Sequence, residues 1–328
     1  MDLRNGFRIQ SSNWITSLLA PLTIWSVPMF QRISFWTHMS GRDKDYDSFR
    51  ADHDALAPWI LGPMAAMGSY KYTPILHFRG CTQEEFKDDI VNKTLVMIGN
   101  HVGYSDFAVL LQLARFYDVE SKITTYFMEE INRWPVIGPS FWGQIPLMRD
   151  GTGKDDQVLH ERLTMFANSS CETLIAVFPE GGLRRNPKLY ERSKQKEQEL
   201  GIKFQYMNYP KVKGFTKLIE IVGKKADSVY EFTLLYPAHR KNVGNDVHVI
   251  VTKVCEVKDI PVEPSAEFVA HHKVQIDDTN RLHYAHEEFM LGRFKSMDES
   301  LIQFYSDVPD DQKPTVENLH LRREHDND

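Results

Sequence analysis

The sequence predicts an α/β protein with a mainly parallel sheet flanked by helices, preceded by a hydrophobic segment that associates with a membrane. Three observations lead to this prediction. Beyond residue 70, short apolar runs alternate with segments of helical periodicity, a pattern typical of parallel sheets covered by helices. Residues 9–31 carry no charged side chain. The composition, 42% hydrophobic and 26% charged, is that of a globular protein.

The alternation defines the predicted elements and three regions. We expect a membrane-associating region over 1–70, an α/β domain over 71–308, and a polar tail over 309–328 that is too poor in aliphatic residues to fold. Strands are predicted at Thr73–Phe78, Thr94–Ile98, Ile123–Phe127, Gln144–Met148, Thr173–Phe178, Phe232–Tyr236 and Val247–Val254. Helices are predicted at Asp106–Tyr117, Asp155–Asn168, Leu189–Leu200, Phe215–Val222 and Arg281–Tyr305.

The uncharged segment 9–31 has the length of a membrane span, for which about 20 apolar residues suffice. Pro21, Pro28 and several Ser, Thr, Asn and Gln residues interrupt its apolar character. We interpret it as an anchor that spans the bilayer or as a pair of helices lying in the interface. A kinked helix buried in the protein is the alternative.

Charge and cysteine content exclude several classes of protein. The net charge of −6, from 39 basic and 45 acidic residues, argues against a nucleic-acid partner. The three cysteines are far apart, which gives neither a disulfide framework nor a zinc motif and favours a reducing environment. Between residues 184 and 225, however, twelve Lys or Arg face four Glu. That stretch indicates either a local anionic partner or a solvated helix face.

A histidine and an aspartate mark the end of the second predicted strand of the domain. His101 follows the strand that ends at Ile98, and Asp106 begins the next predicted helix. Open α/β sheets bind ligands at the carboxyl ends of their strands. A carboxylate on one imidazole nitrogen leaves the other free to act as a general base, which needs His101 in the turn and Asp106 at the helix start. The alternative is a turn in which Asp106 is only a helix cap.

Two further strand ends carry charged residues toward the same edge. Arg149 follows the strand Gln144–Met148, and Glu180 and Gly181 follow the strand Thr173–Phe178. Arg184 and Arg185 come directly after them. The guanidinium group matches phosphate through its planar fork of donors, and glycine lets a backbone approach an anion closely. The sequence therefore predicts a site for a phosphate-bearing molecule with a hydroxyl to be deprotonated.

These segments resemble the motifs of the glycerolipid acyltransferase family. His101 to Asp106 is similar to the HX4D motif, and the second, third and fourth motifs resemble Gly143 to Arg149, Phe178 to Gly181, and Tyr236-Pro237. Their order and spacing agree from Thr73 to about Val254. The extended third motif and the Asn208 to Lys211 segment resemble the lysophosphatidylglycerol acyltransferase branch. Arg184 is shifted one place from the family's arginine, which leaves Arg185 as a rival.

The resemblance implies an O-acyltransferase that moves a fatty acyl chain from acyl-CoA to a hydroxyl of a lysophospholipid. His101 would be the general base, and Asp106 would orient it. Arg149, Glu180, Gly181 and either Arg184 or Arg185 would hold the acceptor. The resemblance implies no cofactor beyond acyl-CoA as co-substrate, and a location on a membrane, the endoplasmic reticulum, with the site facing the cytosol.

Other functions are open on the sequence alone. A CoA-independent transacylase would share the same motifs, and a non-catalytic membrane scaffold is a further class. Ser105 suggests a serine hydrolase, but its surroundings lack the last glycine of GxSxG. His271-His272 and His283 with His286 suggest a metal, although their spacing does not match a known ligand set, so we expect none.

Overall fold

The structure is a computed structural model of the 328-residue chain. It describes residues 7–8, 47–48, 50–51, 61, 72–103, 105–133, 144–149, 151–184, 186–237 and 246–315. The segment 9–31, on which the membrane-association prediction depends, lies outside the described residues, as does 316–328 of the predicted tail. Within the described ranges, no helix combines the length and apolar character that a membrane crossing requires.

An eight-stranded mixed sheet forms the centre of the fold. The strands are β1 Phe7–Arg8, β2 Thr73–Arg79, β3 Leu95–Gly99, β4 Ile123–Met128, β5 Ile145–Leu147, β6 Leu174–Val177, β7 Ser228–Leu235 and β8 Asp246–Glu256. Their order in the sheet is β1-β2-β8-β7-β3-β6-β4-β5. Strands β3 to β7 run parallel to one another, whereas β1 pairs with β2, and β7 with β8, in antiparallel fashion. The carboxyl ends of β3, β5, β6 and β7 therefore meet at one edge.

Helices cover both faces of the sheet. The α-helices are α1 Gln83–Asn92, α2 Ser105–Phe116, α3 Lys154–Asn168, α4 Pro187–Leu200, α5 Lys213–Val222, α6 Ala266–His272 and α7 Arg281–Phe304. Buried residues of α1 and α2 form one hydrophobic core with the sheet, and those of α3, α5 and α7 form the other. Short 3-10 helices lie at Glu120–Lys122, Glu129–Arg133, Val257–Asp259 and Asp310–Gln312.

The predicted α/β fold with a mostly parallel sheet flanked by helices is confirmed. All seven predicted strands and all five predicted helices are present, with ends shifted by a few residues. The prediction omitted α1 and α6, and it placed the start of β7 four residues too late. That strand begins at Ser228 and includes Glu231, polar residues that are buried in the sheet and break the apolar pattern.

Glu231 on β7 is an acidic side chain inside the core. It is 1% exposed, and among the described residues its Oε2 has no hydrogen-bond partner. Burial raises the pKa of Glu231 to about 7, against the opposing attraction of Arg293 and Arg79. The folded protein therefore keeps this proton at pH values where the unfolded chain, with an ordinary pKa of 4.5, has lost it.

The contribution of Glu231 to stability is expected to fall as the pH rises from about 4.5 to about 7. It is full while the carboxyl is protonated below the unfolded pKa and is lost through the folded pKa, a difference of about 3 kcal/mol. Buried His77 and His286, whose pKa values are lowered to about 4, act in the opposite direction, so the test compares the variant with the wild type. Glu231→Gln should gain about 3 kcal/mol of stability relative to the wild type between the two pH values when denaturant unfolding is followed at both. Glu120→Gln, at a carboxyl paired with Arg115, is the control and should keep the wild-type slope. An unchanged slope in Glu231→Gln would contradict the assignment.

Candidate active site

Four strands deliver the candidate residues to one edge of the sheet. His101 follows β3, Arg149 follows β5, Glu180 follows β6, and Tyr236 follows β7. Gly99, the last residue of β3, lies against the ring of Phe232, and a Cβ there would be 2.3 Å from a ring carbon. Glycine at this position thus lets β3 and β7 approach closely just before the turn that carries His101.

The turn after β3 holds His101 beside Asp106. The His101 Nδ1 lies 2.8 Å from Asp106 Oδ2, and the imidazole is 23% exposed whereas the carboxylate is fully buried. Because a carboxylate only accepts hydrogen bonds, Nδ1 carries the proton and Nε2 is left as the basic nitrogen. The Phe178 ring packs against the imidazole with 4.9 Å between ring centroids. The arrangement is an oriented imidazole with access from outside.

Asp106 lies one residue inside α2, so it is not the cap residue that the sequence suggested. Its carboxylate faces back to the preceding turn, where Oδ2 also accepts the N–H groups of Val102 at 2.6 Å and Gly103 at 2.9 Å. Oδ1 accepts the Tyr236 hydroxyl at 2.6 Å. A buried carboxylate requires such donors, and these fix its orientation toward His101.

Glu180 is buried in the turn after β6 and connects that turn to the segments of His101 and Asn208. It is 1% exposed, and its two oxygens accept the backbone N–H groups of His101 at 2.7 Å and Asn208 at 3.0 Å. Burial raises the pKa of Glu180, and the positive charge of Arg184 opposes that rise. The glutamate that the sequence assigned to substrate binding is therefore placed by the structure behind the site, where it anchors the backbone of His101.

Arg184 is placed behind the site as well. It is 1% exposed, and its Nε lies 3.7 Å from Glu180 Oε1. Its positive charge is also close enough to Asp298 and Tyr305 in the α7 region to oppose the rise that burial causes in their pKa values. Its rival Arg185 lies outside the described residues. The structure thus gives Arg184 an ion pair within the protein and no exposed surface for an acceptor.

Arg149 is exposed and joins the β5 end to the turn after β6. Its φ of 55° lies in the left-handed region, and Asp155 at the start of α3 accepts the N–H groups of Met148 and Arg149 at 2.6 and 2.9 Å. The guanidinium Nη1 donates to the Gly181 carbonyl at 2.7 Å. Glu180 holds the backbone of His101 and Gly181 holds the guanidinium of Arg149, so adjacent residues tether the His101 turn and the Arg149 side chain.

A further cation, Lys211, lies against Gly181, and Arg192 is close enough to Lys211 to affect its pKa. The Lys211 side chain crosses this glycine so closely that a Cβ would be 2.7 Å from Lys211 Cδ, and Gly181 itself has a φ of 69° that favours glycine. Desolvation lowers the pKa of Lys211, and repulsion from Arg149 and Arg192 adds to the effect. Positive charges crowded in this way are relieved by an anion. The chemistry available here therefore includes anion binding.

Sequence reasoning did not assign site roles to Tyr236 and Asn100. The Tyr236 hydroxyl reaches Asp106 across 130 residues of chain, and the only signal was its place in the fourth motif. Asn100 is fully buried and bridges the turn to β7, with its amide donating to the Leu234 carbonyl at 3.0 Å and accepting the Leu234 N–H at 2.7 Å. Both residues support the His101 turn.

The residues of the alternative hydrolase and metal sites make hydrogen bonds to other groups. Ser105 interacts with the Tyr236 hydroxyl, and no hydrogen bond joins it to His101 in the described part of the chain. His272 contacts the Phe268 carbonyl, and His286 contacts the Thr216 hydroxyl. Among the described residues, no group of three His, Cys, Asp or Glu side chains is placed to hold a metal ion.

A comparison with known protein families gives one match. Residues 81–218 match the model of the family described as Acyltransferase. The matched range contains His101, Asp106, Arg149 and Glu180, and it supports the glycerolipid acyltransferase family, acyl transfer in general and a transferase of the EC 2.3.1 class. Such an enzyme has an acyl donor and an acyl acceptor. A search of curated proteins gives no significant match.

Proposed function

We propose that the protein transfers a fatty acyl chain from acyl-CoA to a hydroxyl of a lysophospholipid, with His101 as general base. The observation that carries the proposal is the tethering of the oriented His101–Asp106 pair and the exposed Arg149 to the adjacent residues Glu180 and Gly181. A base for a hydroxyl and a cation for a phosphate are thus tethered to neighbouring residues of one turn. A lysophospholipid acceptor carries both groups.

In the proposed reaction, His101 accepts a proton in the first half and returns it in the second. His101 Nε2 takes the proton of the acceptor hydroxyl while that oxygen attacks the thioester carbonyl. The carbon–sulfur bond of the tetrahedral intermediate then breaks, and the CoA thiolate takes the proton back from the imidazolium. Asp106 keeps the imidazole in the required tautomer and stabilises its positive charge. An ester and free CoA thiol are the products.

The acceptor phosphate is assigned to the cations around Gly181. Arg149 offers a planar guanidinium, and Lys211 and Arg192 add positive charge nearby. We do not assign Arg184 to this role, because its side chain is 1% exposed and lies beside Glu180. For a substrate that partitions into bilayers, we place the enzyme on a membrane, the endoplasmic reticulum, with the site facing the cytosol where acyl-CoA is made.

A panel of lysophospholipids tests the proposal. Purified full-length protein is incubated with acyl-CoA and each acceptor, and thiol release and acylated product are measured together, with His101→Ala as the blank. We expect matched amounts of thiol and product for at least one acceptor. Product formed from a diacyl phospholipid without acyl-CoA would instead establish the transacylase. If no acceptor gives either acylated product or thiol release, the proposed function is contradicted.

Arg149→Ala is expected to raise the acceptor KM by about 10- to 100-fold, the loss of a charge-assisted contact with phosphate, while the acyl-CoA KM changes little. Alanine keeps a Cβ, so the backbone cost at φ 55° is unchanged. Arg281→Ala, which removes an exposed arginine paired with Glu263, is the control and should leave both KM values as in the wild type. Equal effects of Arg149→Ala on the two KM values would place it outside the acceptor site.

A further inference from the structure

A tyrosine after β7 completes the set of donors to the site carboxylate. The Tyr236 hydroxyl donates to Asp106 Oδ1 at 2.6 Å. Among the described residues, no other donor reaches that oxygen. The other oxygen, Oδ2, is shared by His101 Nδ1 and two backbone N–H groups. Since the carboxylate has no exposed surface, water does not replace the tyrosine.

Tyr236 is itself held in place from α7. The Tyr305 hydroxyl, just beyond the end of that helix, donates to the Tyr236 carbonyl at 2.6 Å, and both tyrosines are buried. Tyr72 packs edge-on against the Tyr236 ring with 5.0 Å between centroids. Burial, reinforced by the charge of Asp106, raises the pKa of Tyr236, so its hydroxyl keeps its proton and remains a donor.

We propose that Tyr236 is a positioning residue of the acyl transfer, which acts on His101 through Asp106. The inference deepens the proposed function and rests on His101 being its base. Tyr236 holds the carboxylate in one orientation and disperses part of its negative charge. It thereby sets both the direction of the imidazole and the strength with which Asp106 attracts the imidazolium.

Removing the hydroxyl has two separable consequences. Asp106 Oδ1 is left buried without its donor, so the carboxylate is less firmly held and the imidazole is oriented less well. The carboxylate also becomes more strongly negative toward His101, which makes the protonated imidazole easier to form. Glu180, the other acidic group near His101, is engaged by backbone N–H groups and is unaffected.

Tyr236→Phe in the full-length protein tests the proposal. We expect kcat to fall about tenfold, the size of a lost hydrogen bond to a charged group, with both KM values nearly unchanged. We also expect the acid limb of the pH–rate profile to move to higher pH by about half a unit or more. Tyr305→Phe, which loosens the Tyr236 backbone without touching Asp106, should show a smaller kcat loss in the same direction.

The matched control is Tyr230→Phe. Tyr230 is also buried and donates to a buried carboxylate, Asp89, at 2.6 Å. Within the described residues, its side-chain hydrogen bond and its ring contacts are with Asp89, Phe86 and Lys253, none of which is a site residue. It should show a comparable loss of stability with a wild-type pH profile and kcat. If Tyr236→Phe has the kcat and acid limb of the wild type, or only shares the behaviour of Tyr230→Phe, the proposal is overturned.

A readout without turnover separates this proposal from the proposed function. The imidazole signal of His101, identified by its loss in His101→Ala, is followed by NMR as the pH is changed in wild type and Tyr236→Phe. A midpoint at higher pH in the variant supports the positioning role even if no lysophospholipid is acylated. An identical midpoint and signal position would reject it even if acyl transfer is established.

Discussion

His101→Ala is expected to lower kcat by about 10²-fold or more, the least that a general base normally contributes, while the fold is retained. The imidazole is 23% exposed and packs against Phe178, itself only partly buried beside one of the cores, so we expect its removal to leave the sheet and both cores intact. Rates of thiol release and thermal unfolding are measured on the same preparation. More than about a tenth of wild-type activity in His101→Ala would exclude the general-base role.

Asp106→Asn gives the companion measurement. The amide keeps the size of the carboxylate, but its NH₂ group replaces one of the two oxygens and cannot accept the hydrogen bonds offered there. Those bonds come from Val102 and Gly103 at the Oδ2 position or from Tyr236 at the Oδ1 position. It also removes the charge that stabilises the imidazolium. We expect a loss of activity similar to that of His101→Ala, and the double variant should lose little more, because the two residues act as one unit.

The sequence was sufficient to place His101, Asp106, Arg149 and Glu180 at one edge of the sheet. Each follows a strand, and the carboxyl ends of parallel strands meet at one edge regardless of how far apart they lie in the chain. The roles of individual side chains depend on packing instead. Whether an arginine after the β6 turn is exposed or buried depends on how the α7 region packs against it, as Asp298 and Tyr305 do near Arg184. The sequence does not show this packing, so it left Arg184 and Arg185 as alternatives.

Helix α1, which the sequence prediction omitted, begins with a recognisable capping motif but has few apolar residues. Thr82 and Glu85 form a capping box, in which the Thr82 hydroxyl accepts the Glu85 N–H and the Glu85 carboxylate accepts the Thr82 N–H. Phe86 and Ile90 are its buried apolar side chains and Val91 is partly buried beside them, which is too little for helical periodicity to be visible. The Tyr236 contact with Asp106 has no local signal, since it joins residues 130 positions apart.

Glu180→Ala is expected to be the most damaging single substitution at the site. It leaves the backbone N–H groups of His101 and Asn208 without acceptors, and it leaves the guanidinium of Arg184 buried without its partner charge. Removal of one partner of a buried ion pair costs about 3–5 kcal/mol. The measurements are denaturant unfolding and, under conditions where the variant is folded, the rate of thiol release.

A double variant separates the ion pair from the positioning of His101. Glu180→Leu with Arg184→Met removes both charges at similar volume, and such replacements of buried pairs are often neutral or stabilising. We expect it to recover much of the stability that Glu180→Ala loses. Activity should stay low, because the His101 N–H still has no acceptor and the imidazole is no longer fixed beside Asp106. Recovery of stability and activity together would show that Glu180 serves the fold alone and contributes nothing to the orientation of the base.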